Sequence, residues 1–209
     1  MPKSAHALVL AGLAVALALS GCASAPKPTP FTPPQVALEK GKHVDRVWAD
    51  AAALAAARVA NVALSEIDTR AIADAKGITA AEARETLRGA LVAGAGGDVV
   101  LRHGLEGSTS RLEVAITELD PGSAAARVFA GELGAGHAWV QVEARLVDPA
   151  SGAVLAAFVE RSRDSGGIGL RDTFGSVGPT LVRELLQRAA RDIRDELAIV
   201  LPGEAGAAR

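Results

Sequence analysis

The sequence predicts an α+β domain: an antiparallel sheet of about four to five strands with two helices packed on one face. Three observations predict it. His137 to Val147 alternates apolar with polar side chains throughout, the period of a half-buried strand. Leu181, Val182, Leu185, Leu186, Ala189, Ile193, Leu197 and Val200 form an apolar stripe at helical spacing. The connections are short, and one of them, Asp148-Pro149-Ala150-Ser151-Gly152, has the chemistry of a hairpin turn. The resulting order, β-α-β-β-β-β-α, places helices on one side of an antiparallel sheet.

An export segment comes first. Lys3 supplies a positive start, and Ala7 to Leu19 is an unbroken apolar run. A spanning helix needs about 20 such residues, so this run reads instead as the hydrophobic core of a secretory signal. It ends in Leu19-Ser20-Gly21-Cys22, which resembles the bacterial lipobox. The resemblance implies that residues 1–21 are a signal peptide, removed once the Cys22 sulfur carries diacylglycerol. Small Ser20 and Gly21 leave room for a peptidase to close on extended backbone. It further implies two or three acyl chains, palmitate among them, where a single chain would anchor only marginally. Ala23 stands where an aspartate commonly retains lipoproteins at the inner membrane, which favours the outer membrane and a domain facing the periplasm. A plain signal peptide with an incidental cysteine, or a buried apolar helix, is the other reading. Cys22 is the only cysteine, so a redox pair or thiolate metal site in the mature chain is excluded.

The formal charge of −2 gives no basic footprint for nucleic acid. Two Trp, four Phe and no Tyr are few for a carbohydrate or base-stacking platform. Residues 22–40 form a Pro-rich linker: ASAPKPTPFTPPQ cannot build a helix or a central strand and is expected to be an extended tether. At about 3.1 Å per residue it would lift the domain roughly 40 Å from the bilayer. The single periplasmic domain is expected over 41–201, and 202–209 is expected to be a disordered tail.

Within the domain, 58–68 alternates as a strand. Thr79 and Glu82 have capping-box spacing, and Ala83, Leu87, Ala90 and Leu91 share one helical face that Gly94 to Gly97 ends. Strands are expected at 98–102, 111–119, 137–147 and 153–163, and a long helix from Ser176 or Pro179 to Leu201. The outer faces of the middle strands are polar and expected to meet solvent. Trp48 is expected to pin the start of the domain to its core.

The run GAGHAWVQVEARLVDPASGAVL, Gly134 to Leu155, with ITELDPGS at Ile116 to Ser123, resembles a group of bacterial lipoproteins of uncharacterised function. Their domain is similar to that of the curli-secretion lipoprotein and the amino-terminal domain of TolB. The likeness implies fold and compartment. It departs in one respect: the curli-secretion protein contributes long membrane-crossing hairpins to a pore. Here the alternating strands serve the domain's own sheet and carry Glu113, Gln141, Glu143 and Arg145 outward, so a channel is not expected.

Catalytic patterns are missing. His6, His43, His103 and His137 are isolated from one another, without metal spacing, and no metal or cofactor is expected. Ser108, Ser110 and Ser123 are not framed as nucleophile elbows. The loop Ser165-Gly-Gly-Ile-Gly-Leu170 lacks the Lys-Ser/Thr ending of a phosphate cradle. Asp192, Asp195 and Glu196 are expected to face solvent and pair with Arg188, Arg191 and Arg194.

Trp139, with His137 and Arg161, makes up the candidate partner-binding set, since an exposed aromatic on a strand can anchor another protein. Stacking against Arg161 or Arg163 across the hairpin is the alternative. The expected function is a non-catalytic, membrane-anchored binding or assembly module whose partner is another envelope protein. An oligomeric subunit of a secretion or polysaccharide-export assembly is the alternative. An enzyme would need a deep pocket with convergent His and carboxylates.

Overall fold

Asp148 organises the hairpin on which the sheet is built. Its carboxylate accepts from Ala150 N (3.2 Å), Ser151 N (3.2 Å) and Ser151 Oγ (2.5 Å), and these bonds hold it below the usual carboxylate range. Gly152 takes φ +74°, a left-handed conformation that favours glycine, and Asp148 N closes the turn on Ala153 O. The two strands so joined are β5 (Trp139–Val147) and β6 (Val154–Arg163). Before them come β1 (Arg46–Ala49), α1 (Ala51–Ala57), β2 (Val59–Asp68), α2 (Ala80–Leu91), β3 (Val99–Arg102) and β4 (Ser108–Asp120). The helix α3 (Pro179–Val200) follows. The computed structural model describes residues 26–33, 36–72, 78–93, 99–102, 108–122, 137–164 and 179–201. Cys22, the Leu19-Ser20-Gly21 lipobox, His6, His103, Ser123, the glycine-rich Ser165–Leu170 loop, Gly94–Gly97 and the tail lie outside the described residues.

The sheet has six strands in the order β1-β6-β5-β4-β2-β3, one more than expected. It is also mixed: β2 and β4 run parallel, and every other neighbouring pair is antiparallel. A parallel pair needs a long crossover, and α2 and β3 supply it. The chain leaves β2, passes through α2, lays β3 on the outer edge of β2 and returns to its inner edge as β4. The unexpected strand β1 has only four residues and finds its partner far along the chain, in β6. The helix α1 was also not expected, because its sequence AAALAAA carries no amphipathic period. It forms between Asp50, whose side chain accepts from Ala53 N (2.9 Å), and Arg58, whose left-handed φ of 46° ends it.

One face of the sheet carries the core. Val140, Val142, Ala144 and Leu146 of β5, with Leu112, Val114 and Ile116 of β4 and Phe158 of β6, meet the apolar stripe of α3 and Ala83, Leu87 and Leu91 of α2. The capping box of α2 forms as its spacing predicts: Thr79 Oγ1 accepts from Glu82 N (3.2 Å) and Glu82 Oε2 from Thr79 N (3.0 Å). Thr79→Ala is expected to lower stability by about 1 kcal/mol, seen as a reduced urea midpoint at unchanged slope.

Candidate functional site

The other face of the sheet was expected to meet water, and at its centre it does not. Register places Gln141, Glu143 and Arg145 of β5 beside Glu113 and Glu118 of β4 and Ala157, Val159 and Arg161 of β6. Gln141 and Glu143 are completely buried there. The cover is the proline segment itself. Glu143 accepts from Thr29 N (3.1 and 3.2 Å) and from Thr32 Oγ1 (2.6 Å). Gln141 Nε2 donates to Lys27 O (2.8 Å). Arg145 donates to Phe31 O (3.3 Å), and its guanidinium lies 4.7 Å from the Phe31 ring centroid.

Residues 26–33 are therefore a strap packed on the sheet, and the extended-tether expectation does not hold for them. The physical reason lies in proline chemistry. Pro26, Pro28, Pro30 and Pro33 have no N–H, so the segment cannot join the sheet as a strand. It can still offer carbonyls and a few intervening amides, and polar side chains on the sheet face reach those. Glu113 braces the arrangement between Arg111 and Arg145, both at 2.7 Å. Burial opposes its charge, but the Arg145 and Arg111 guanidiniums prevail and hold the carboxyl below its ordinary range.

The candidate residues Trp139 and Arg161 come together on this face. The Arg161 guanidinium lies 4.3 Å from the Trp139 ring centroid, in the stacked arrangement, and Trp139 is half-buried. Arg161 Nη2 also donates to Glu118 (2.6 Å) and to Gln141 Oε1 (2.7 Å). His137 is half-buried just ahead of β5. Trp48 does not enter the core as expected. It is half-buried on β1, paired with Ala157, and so belongs to this outer face.

Sequence reasoning missed a second set of residues. Glu160 is buried on the helix side of β6 and accepts from Asp45 N (3.1 Å) and Ser162 Oγ (3.2 Å). Burial, then the charges of Asp45 and Asp192, push its carboxyl up to about 7. Asp192 is raised too, by burial and by Asp195, against Arg188, Arg191 and His43. Glu196 does not face solvent as expected. It is buried and accepts from His43 N (2.6 Å). Two carboxylates thus clamp the segment leading into β1 onto β6 and α3. The signal was present, since Glu196 follows Ile193 by three positions and so falls on the apolar stripe.

Residues 74–163 match DUF4410, a domain of unknown function. That span takes in α2 through β6, including the strands that hold the strap. No curated protein matches the chain. Among solved structures it is similar to the PelC dodecamer from Paraburkholderia phytofirmans, at 15% identity over 65% of this chain and 88% of that one, TM-score 0.36. It is also similar to a candidate lipoprotein of Caulobacter crescentus, at 19% identity over 74% of this chain and 100% of that one, TM-score 0.35. A third is a Xanthomonas campestris protein of the family DUF330, at 14% identity over 68% of this chain and 82% of that one, TM-score 0.39. The resemblance to the curli-secretion lipoprotein and TolB is not confirmed by these matches. The stretch that carried it, Gly134 to Leu155, lies inside the DUF4410 span. Among the described residues no helix is long and apolar enough to cross a membrane.

Proposed function

We propose that this chain is a non-catalytic lipoprotein, attached to the membrane through lipid on Cys22, whose domain is a binding or assembly module of the bacterial envelope. The lipobox-like Leu19-Ser20-Gly21-Cys22 supplies the anchor, and Ala23 favours the outer membrane with the domain in the periplasm. The observation that carries the reading is the strap. Three side chains of β5 hold residues 27–32, so the docked domain begins within a few positions of Cys22. A module built in this way presents one defined pole to the bilayer and the remainder to another envelope protein.

The test is made on full-length protein extracted from its native membrane in mild detergent. Intact mass should show cleavage before Cys22 and addition of diacylglycerol. Light scattering should give a particle of one or two copies. An unlipidated chain that keeps residues 1–21 overturns the anchor. A particle of many copies replaces the binding module with the alternative, a subunit of a secretion or polysaccharide-export assembly.

A further inference from the structure

Docking of the strap brings Pro26 to the rim of a cleft of about 410 Å³, whose other lining residues are Lys40, Asp45, Arg46, Arg161 and Arg163. Four cations face one carboxylate there. These residues come from the strap, from the segment entering β1, and from β1 and β6, which are hydrogen-bonded neighbours. Asp45 Oδ2 accepts from Arg161 N (3.1 Å), and Arg161 is itself committed to Glu118 and stacked on Trp139. Arg161 and Asp45 therefore build the cleft, while Lys40 is exposed at its mouth and Arg46 and Arg163 are half-exposed. Lys27 and Lys42 are exposed in the segments beside it. In a chain of net charge −2 this is a local concentration of positive charge.

The position of the cleft identifies what it meets. Pro26 stands four positions after Cys22, and four residues reach at most about 14 Å. With the lipid on Cys22 in the bilayer, the cleft cannot stand far from the headgroups. The potential of an anionic membrane extends about one screening length, near 8 Å at physiological salt. From this we infer that the Lys40–Arg46–Arg163 cleft binds anionic phospholipid headgroups of the membrane that carries the anchor, and so seats the domain against the bilayer in one orientation. The inference rests on the anchoring proposed above.

The protein carries its own reporters, because its two tryptophans, Trp48 and Trp139, both lie on the strap side of the sheet. Full-length lipoprotein is reconstituted into nanodiscs of phosphatidylcholine alone or with phosphatidylglycerol, each doped with a dansyl-labelled headgroup. Energy transfer from tryptophan is then measured. Transfer in the anionic discs is expected to be about twofold higher, and to fall to the phosphatidylcholine level at 1 M salt, where screening acts within about 3 Å. Arg46→Glu with Arg163→Glu should abolish the difference. The salt arm decides the question even where that variant fails to fold. Equal transfer in the two discs at low salt overturns the inference. So does loss of the difference with millimolar inorganic phosphate at constant ionic strength, since the cleft would then be a small-anion site. Mass spectrometry of Cys22 in the same sample separates the two readings. An unmodified cysteine sinks the anchoring, whereas a lipidated chain with equal transfer sinks only the headgroup contact.

Discussion

Glu143→Ala is expected to release residues 26–33 from the sheet and to destabilise the domain by about 2–3 kcal/mol. The carboxylate is fully buried and accepts from Thr29 N, Thr32 Oγ1 and Gln141 Nε2. Leaving one buried donor without an acceptor costs about 1–3 kcal/mol, and alanine would leave two, Thr29 N and Thr32 Oγ1, because Gln141 Nε2 keeps Lys27 O and Thr117 Oγ1 as acceptors. The full sum is not expected, because the strap can lift and give its donors to water. The loss is then capped at the energy of docking. Two measurements follow from that cap. The amide of Thr29, bonded only through Glu143 among the described contacts, should exchange with solvent at the rate of an unstructured peptide. The urea midpoint should drop while most of the sheet amides keep their protection. Glu143→Gln retains one acceptor oxygen and should lose less than half as much. A Thr29 amide still protected in Glu143→Ala would mean that the strap is held by something other than β5.

The strap also shows where sequence reading reached its limit. The β5–β6 hairpin, the α2 capping box and the stripe on α3 are each encoded within one or two turns or strands, and a local pattern finds them. The alternation of β5 correctly divides its residues between two faces. It cannot say what lies on the polar face, because polar side chains meet water and a proline segment equally well. Gln141 and Glu143 are separated by more than a hundred residues from the carbonyl and amide they bind. The parallel β2–β4 pair escaped for a related reason. Its strands alternate like antiparallel ones, and only the path through α2 and β3 sets their relative direction. Trp139 was legible as a candidate because it projects from β5, and Arg161 or Arg163 could be named as its stacking partner because both share its face across the hairpin. The register puts Arg163 opposite Trp139, and only the structure shows that Arg161, on the diagonal, stacks on it. The cleft beside them was not legible, since Lys40, Arg46 and Arg163 become neighbours only when β1 pairs with β6.

Glu160 gives this domain an unusual dependence on pH. Its carboxyl moves from 4.5 in an open chain to about 7 in the fold, driven first by burial and then by Asp45 and Asp192. Between those values the folded protein holds a proton that the unfolded chain has lost. Stability is therefore fully present below about pH 4.5, falls as pH rises through 7, and is level above that. A change of this size corresponds to roughly 3 kcal/mol, and Asp192, raised in the same direction, adds to it. Asp68, Glu82, Glu113 and Asp148 have lowered values and oppose the trend, but their contribution is lost only as pH falls through the acid range. Glu160→Gln keeps an acceptor for Asp45 N without a charge to bury. It should match the parent at pH 5 and exceed it at pH 8 by up to about 3 kcal/mol, with urea midpoints at the two pH values as the readout. Equal slopes with pH in parent and variant would show that the ionised carboxylate is accommodated at no cost. Burial would then not be what sets its value. The expected result has a consequence for the cleft as well. Glu160 binds the amide of Asp45, one residue before Arg46, so its ionisation bears on the segment that carries Lys40 and Arg46 to the cleft.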